Sequence, residues 1–381
     1  MSPSRRTVLK TAAAVPLSAM AQSAPLLLYT GCYSQRGQGI GIYRVDPATG
    51  ALTLVKVVAG MNNPAYLALD PRQRFLFSVD ENPEYEGKPT GSVSAFAIDP
   101  SSGDLNFLNR QPSGGRGPAH LSVDPAGRYL LVANYGGGSS AALPIQPDGR
   151  LGTPVSVVKH QGPPGPKADR QKEPHAHMIL PDPAGGFVMA PDLGLDRTLI
   201  FRFDSSSGKL TPSGFGQAQP GAGPRHMAFH PNRRWVFVIN ELDSTVTSFA
   251  YDSKQGALSP VQNISTLPEG YKGINHPAHI LVAPSGRFLY GSNRGFDSIV
   301  IFSVNPDTGR LAFVGHQWTL GQTPRNFNLD PSGNFLYVGN QNSDNIAVFR
   351  VDRSSGKLAS TGHFTAAGQP VCFVFRGGPR A

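Results

Sequence analysis

The chain has 381 residues, including 44 Gly and 35 Pro, and a formal net charge of +9 at pH 7. Gly and Pro at this density suit many short strands joined by turns and argue against a helical or coiled-coil protein. The cationic excess is mild and has no Lys/Arg run with interleaved aromatic residues, which argues against nucleic acid as a partner.

At the N-terminus, Ser4-Arg5-Arg6-Thr7-Val8-Leu9-Lys10 precedes a modest apolar run from Thr11 to Met20, and Ala19-Met20-Ala21 follows the pattern of a cleavage site. Residues 1–21 read as a twin-arginine export signal, with the periplasm as the expected destination. The segment carries three cations and no acid, so the remaining chain has a charge of +6. Nothing beyond residue 25 resembles a linker or a membrane span. One domain over residues 25–376 is expected, acting as a monomer or weak dimer.

From there the chain repeats one phrase: Pro64-Ala-Tyr-Leu-Ala-Leu-Asp-Pro, Pro118-Ala-His-Leu-Ser-Val-Asp-Pro, His175-Ala-His-Met-Ile-Leu-Pro-Asp-Pro, Pro224-Arg-His-Met-Ala-Phe-His-Pro, Pro277-Ala-His-Ile-Leu-Val-Ala-Pro and Pro324-Arg-Asn-Phe-Asn-Leu-Asp-Pro. Its prolines recur roughly every 46 to 56 residues, a period typical of propellers. Each phrase leads through a turn into an apolar run such as RFLFSVDE or RWVFVINE. In the first full unit, strands are expected at 65–69, 75–79, 92–98 and 105–108. The last unit, from Pro370, has room for one strand only. Strands at 26–30, 39–45 and 52–58 supply the other three, so the chain ends share a blade. The fold class is therefore all-β, a seven-bladed β-propeller closed by a shared blade, which leaves no open sheet edge.

Cys32 and Cys372, the two cysteines, both fall in the closing blade. Antiparallel pairing brings them close together, and two readings stand: a ring-locking disulfide or two buried thiols.

The first strand of a propeller blade lines the central channel, and the second runs antiparallel beside it. Residues before strand one and after strand two therefore share one channel mouth. His120, His175, His177, Arg225, His226, His276, His279, Arg325 and Asn326 fall in the first group. Glu81, Asn134, Tyr135, Asp192, Glu241 and Arg294 fall in the second. Charged groups gathered near an interior axis mark a candidate site. A histidine starting each blade can also simply bond backbone, and the asparagines can cap turns. The arginines are harder to explain structurally, because a buried guanidinium needs a carboxylate or an anionic ligand. No HExxH or Cys cluster suggests a metal, and no Gly-rich loop opens a helix for a nucleotide. No metal and no cofactor are expected. The G-x-S-x-G nucleophile elbow is also missing.

Several phrases carry a resemblance: Ala133-Asn-Tyr-Gly-Gly-Gly, Arg170-Gln-Lys-Glu-Pro-His-Ala-His177, Gly223-Pro-Arg-His226, Asn240-Glu-Leu242, Ser292-Asn-Arg-Gly295 and Thr323-Pro-Arg-Asn-Phe327. Together they resemble the seven-bladed propeller lactonases, whose best-known activity is 6-phosphogluconolactonase and which include a fungal carboxy-muconate lactonizing branch. The resemblance implies a catalytic group at His177, Arg225, Glu241 and Arg294. Glu81, Asn134, His175, His226, His279 and Arg325 are the expected substrate-binding residues. The implied substrate is a small polar or anionic lactone. Export does not suit a cytoplasmic phosphogluconolactone and favours another aldonolactone.

In this reading Glu241 is the expected base toward water, His177 its acid/base partner, and Arg225 the support for the developing oxyanion. The loop 159–172 is expected to cover the mouth. A muconate-type cyclisation and a non-catalytic binding propeller are the alternatives.

Overall fold

Asp70 shows how the repeated phrase makes a turn. Its Oδ1 accepts the backbone N–H groups of Arg74 (2.6 Å) and Phe75 (2.7 Å), closing the link between first and second strands. Asp124 and Asp330 repeat both bonds, and Asp182 keeps the one from Phe187. Where the fourth blade has His230, its Nδ1 accepts the N–H of Asn232 (3.1 Å) instead. A side-chain acceptor at this position and a following Pro with preset φ make the reversal local, so these blades begin as hairpins.

The computed structural model describes residues 25–377, and the segment 1–21, expected to be an export signal, lies outside the described residues. It contains 28 strands in seven four-stranded antiparallel sheets. Blade 1 comprises Leu67–Leu69, Phe75–Asp80, Ser92–Ile98 and Leu105–Pro112. Blades 2 to 6 follow in sequence, with innermost strands Pro118–Val123, Leu180–Pro181, Pro224–Phe229, His276–Val282 and Pro324–Leu329. In the seventh sheet, Pro370–Arg376 is innermost and pairs with Leu27–Cys32, Ile40–Val45 and Leu52–Val58. The chain is thus the seven-bladed β-propeller with a shared closing blade. Strand limits differ from expectation by a few residues, mostly at outer edges. No helix among the described residues is long and apolar enough to cross a membrane.

The core lies between the blades. Seven clusters of buried apolar residues each join two neighbouring sheets, as where Phe77 and Val79 of blade 1 meet Leu130 and Val132 of blade 2. Outer turns approach the next blade closely. Gly309 (φ 67°) lies against Trp235, where a Cβ would come within 2.4 Å of the indole.

Cys32 and Cys372 are both free and buried, so the thiol reading holds and the disulfide is excluded here. The register explains it. Gly31 pairs with Cys372, while a bulge puts Cys32 opposite Pro370. The Cys32 thiol donates to the Gly39 carbonyl (3.1 Å), and Cys372 Sγ accepts from the Leu67 N–H (3.3 Å).

Register also determines what enters the channel. In blades 2, 4 and 6 the inner strand carries a bulge between Pro118 and His120, Pro224 and His226, and Pro324 and Asn326. Ala119, Arg225 and Arg325 are the extra residues at these bulges. A bulge re-aims a side chain relative to the regular pleat, and bulges recur beside active sites for that reason.

Candidate active site

Three tiers of residues descend from one channel mouth, each built from one repeat position. The top tier follows the second strand, where backbone bonds hold it to the start of the first. Glu81 N–H reaches Asn63 O (3.0 Å), Tyr135 reaches Gly117 O (2.9 Å), Glu241 reaches Gly223 O (2.7 Å), and Tyr33 reaches Gln369 O (3.3 Å). Arg294 takes this place in blade 5, paired with His276. The middle tier is the residue after the repeat proline: Ala65, Ala119, Arg225, Ala278, Arg325 and Val371, with Ala176 in blade 3. Only the two arginines break a ring of small apolar side chains. The third tier is the next residue: Tyr66, His120, His177, His226, His279, Asn326 and Cys372.

Glu241 organises the mouth. Its Oε2 accepts from Arg225 Nε (2.9 Å) and Arg294 Nη2 (2.8 Å), and its Oε1 accepts from Arg170 Nη2 (2.7 Å). Burial opposes the charge on this carboxyl, but Arg294 and Arg225 outweigh it and hold its pKa well below the usual range. Burial, then repulsion from Arg294 and Arg325, presses the Arg225 pKa down. Guanidinium remains charged in proteins, so we read Arg225 as a cation held by Glu241 and by the Ala278 carbonyl, to which its Nη1 donates.

A second acidic group faces the same space. Tyr33 Oη donates to Glu81 Oε2 (2.9 Å) and accepts from Arg325 Nη2 (2.6 Å). Here burial dominates, and the Glu81 pKa is raised despite Arg325 and Tyr33. The two carboxyls are thus pushed in opposite directions, a pattern characteristic of catalytic sites. His177 is buried, and that burial, reinforced by Arg225, drives its pKa well below the usual imidazole value. It is therefore a neutral base at neutral pH.

A small cavity lined by Tyr33, Tyr66, Glu81, His177, Arg225, His226, Arg325 and Asn326 joins the tiers. His177, Arg225, His226, Glu81 and Arg325 therefore meet as expected, with Glu241 and Arg294 bonded to Arg225 or to each other beside them. His279 lies next to His226, with their Nδ1 atoms 2.9 Å apart. His175 sits at the rim, stacked on Tyr135 at 4.5 Å, its Nδ1 3.1 Å from the Tyr135 carbonyl. Asn134 is placed elsewhere. It is fully buried, and its amide donates to the Ser113 carbonyl (3.1 Å) and Ser139 Oγ (3.2 Å). Asn240, Asn293 and Asn340 make similar bonds, so in these four blades the repeat position serves the scaffold.

The sequence reading missed two site residues. Tyr33 follows Cys32 as Glu81 follows Asp80, so including the closing blade in the repeat comparison exposes it. Arg170 has no repeat equivalent. It lies on the 159–172 loop, pinned where Gln171 Nε2 donates to the Leu193 carbonyl (2.8 Å) and Asp196 Oδ1 (2.7 Å), and Lys167 Nζ reaches the Leu242 carbonyl.

The family model described as "Lactonase, 7-bladed beta-propeller" matches residues 27–375. The chain belongs to the seven-bladed β-propeller lactonase family. It is 38% identical over 303 residues to a 6-phosphogluconolactonase of Bacillus subtilis, covering 79% of this chain and 84% of that protein. Among solved structures, a periplasmic gluconolactonase of Pseudomonas aeruginosa superposes with a TM-score of 0.86 at 34% identity, covering 92% of this chain and 99% of that one. A putative 6-phosphogluconolactonase of Bacteroides fragilis has the same TM-score at 30% identity, covering 94% and 100%.

Proposed function

We propose that this lactonase-family protein hydrolyses a sugar lactone, an aldonolactone, at the channel mouth. One observation carries the reading. A buried carboxylate gathers three guanidinium groups beside a neutral imidazole, so fixed positive charge waits where a carbonyl oxygen would become negative. Preorganised cations of this kind lower the barrier to acyl transfer because they need no reorganisation as charge develops.

The roles follow from the electrostatics. Both Glu241 oxygens are taken by guanidinium groups, whereas His177 Nδ1 is buried with no protein partner, so the base is His177 rather than Glu241. The His177 imidazole takes a proton from water as the water oxygen attacks the lactone carbonyl carbon. Arg225 and Arg294 stabilise the oxyanion. His177 then returns the proton to the ring oxygen as the C–O bond breaks. Glu241 orients the arginines, and Arg325, Tyr33 and Glu81 bind hydroxyl or anionic groups of the sugar.

A panel of aldonolactones with purified protein, with and without phosphate, tests this directly. We expect turnover of at least one member, read as acid release above the spontaneous rate. Stoichiometric binding without turnover across the panel would favour a binding propeller instead. We also propose export to the periplasm, supported by Arg5-Arg6 and by similarity to the Pseudomonas periplasmic enzyme. Replacing both arginines by Lys should retain the protein in the cytoplasm, and unchanged fractionation would sink the proposal.

A further inference from the structure

The third tier contains an imidazole pair with no role in the reading above. His226 Nδ1 and His279 Nδ1 lie 2.9 Å apart, and one proton serves that contact. Burial, with Arg225 nearby, keeps both rings neutral, and the His279 pKa falls to about 3. On the far side of its ring, His226 Nε2 is buried without a hydrogen-bond partner among protein atoms. So is His177 Nδ1, on a ring whose centroid is 5.3 Å from that of His226. Both rings line the same cavity. An unmet buried polar atom is costly to leave without a partner, so two on neighbouring rings that line one cavity point to a shared polar ligand.

We propose that His226 is a further catalytic residue, which with His177 holds the attacking water, and that His279 is the positioning residue that fixes its tautomer. The argument rests on the hydrolysis reading. A water oxygen attacks through a lone pair, so both of its hydrogens should be donated elsewhere. Two imidazole lone pairs, His177 Nδ1 and His226 Nε2, accept them. This requires His226 to carry its own proton on Nδ1, donated to His279 Nδ1. The opposite tautomer would place an N–H at Nε2, aimed at the lone pair needed for attack.

The surroundings suit a single small ligand. Tyr66 and His120 meet His226 edge-on at 6.0 and 5.6 Å, and His120 Nδ1 already accepts the Ile179 N–H (3.4 Å). During the reaction the new O–C bond forms as the carbonyl π pair moves to oxygen. His177 takes one water proton, while the second stays on the attacking oxygen, bonded to His226. Collapse breaks the ring C–O bond, His177 protonates the leaving oxygen, and the carboxylic acid loses its proton to solvent. His226 ends as it began.

Long-range ¹H–¹⁵N correlation on the ¹⁵N-histidine-labelled protein reads the tautomer without any assay. We expect the His226 proton on Nδ1 in the wild type, and a proton on Nε2 overturns the proposal. In kinetics, His226→Leu should lower kcat by about 10² with KM changed less than about threefold. His226→Gln, whose amide oxygen accepts a hydrogen bond, should recover much of the loss. His279→Phe should move the His226 proton to Nε2 and lower kcat. Wild-type kcat in His226→Leu, or a change confined to KM, also overturns the assignment. If the wild type hydrolyses no lactone, the functional reading itself fails, and this assignment with it.

Discussion

His160 Nδ1 lies 2.7 Å from Asp192 Oδ2, and both side chains are buried. His160 Nε2 is also 2.9 Å from Ser140 Oγ, so the three have the spacing of a hydrolase triad. Ser140 is fully buried, which denies it a substrate. The other Asp192 oxygen instead accepts the backbone N–H groups of His175 (2.8 Å), Gly194 (2.9 Å) and Leu195 (3.1 Å). The pair is a clamp beneath the segment that presents His175 and His177. Removing one member leaves the other buried without its partner, so His160→Ala should cost about 3–5 kcal/mol. Ser140→Ala, losing one neutral bond, should cost about 1 kcal/mol. Denaturant unfolding measures both, and equal small losses would reject the clamp.

Glu241→Gln separates its two candidate roles. An amide presents an NH₂ to at least one guanidinium, so the arginines lose their alignment and kcat should fall by about 10² or more, well beyond any rise in KM. The pH profile then identifies the base. The acid limb of kcat/KM should titrate below the usual histidine pKa because His177 is held neutral. Glu241 favours the protonated imidazole, so the Gln variant should move that limb still lower. Loss of the limb in this variant would restore Glu241 as the base.

The four channel imidazoles make acid stability steep. His120, His177, His226 and His279 all have depressed pKa values in the folded state, from burial first. Below about pH 6.5 the unfolded chain binds protons that the folded chain cannot, so stability falls as pH falls. For His279 the loss runs from about 6.5 down to about 3. Each imidazole contributes at most about 1.4 kcal/mol per pH unit within its window. Glu241, also depressed, adds to the loss further into acid. Thermal midpoints across pH 7 to 5 should show this slope, and His279→Phe should make it shallower.

Arg170 reaches Glu241 from a covering loop and is about one-third exposed. Arg170→Ala should leave the fold intact and raise KM about tenfold, the equivalent of about 1.4 kcal/mol of binding. An unchanged KM would mean that the loop does not contact substrate.

Reductant should change neither intact mass nor thermal midpoint, because no disulfide closes the ring. Burial pushes the Cys372 thiol up to about 12, which leaves almost no thiolate. Thiol reagents should therefore label neither cysteine in the native protein and both after unfolding.

The blade order was legible because each turn carries its own chemistry. Asp-Pro and Asp-x-x-Gly act within a few residues, so they work the same way wherever they occur. Arg225, Glu241 and His177 were legible because one repeat position maps to one depth in the channel. Arg170 was not, because its loop has no counterpart in other blades. Asn134 misled because a polar residue near a channel mouth and a polar residue tying two strands together look identical without the Ser113 and Ser139 contacts.

The sequence by itself determined the number of blades, their closure by the chain ends and the mouth at which charge collects, since local turns and strand alternation suffice for these. Only the tertiary structure decided which atoms meet. A one-residue bulge kept Cys32 from Cys372, and other bulges carried Arg225 and Arg325 into the channel. Three arginines from separate segments converged on Glu241 and hold its carboxyl well below the usual carboxylate range. Register and proton affinity depend on neighbours brought together by folding, and no local pattern in the chain encodes them.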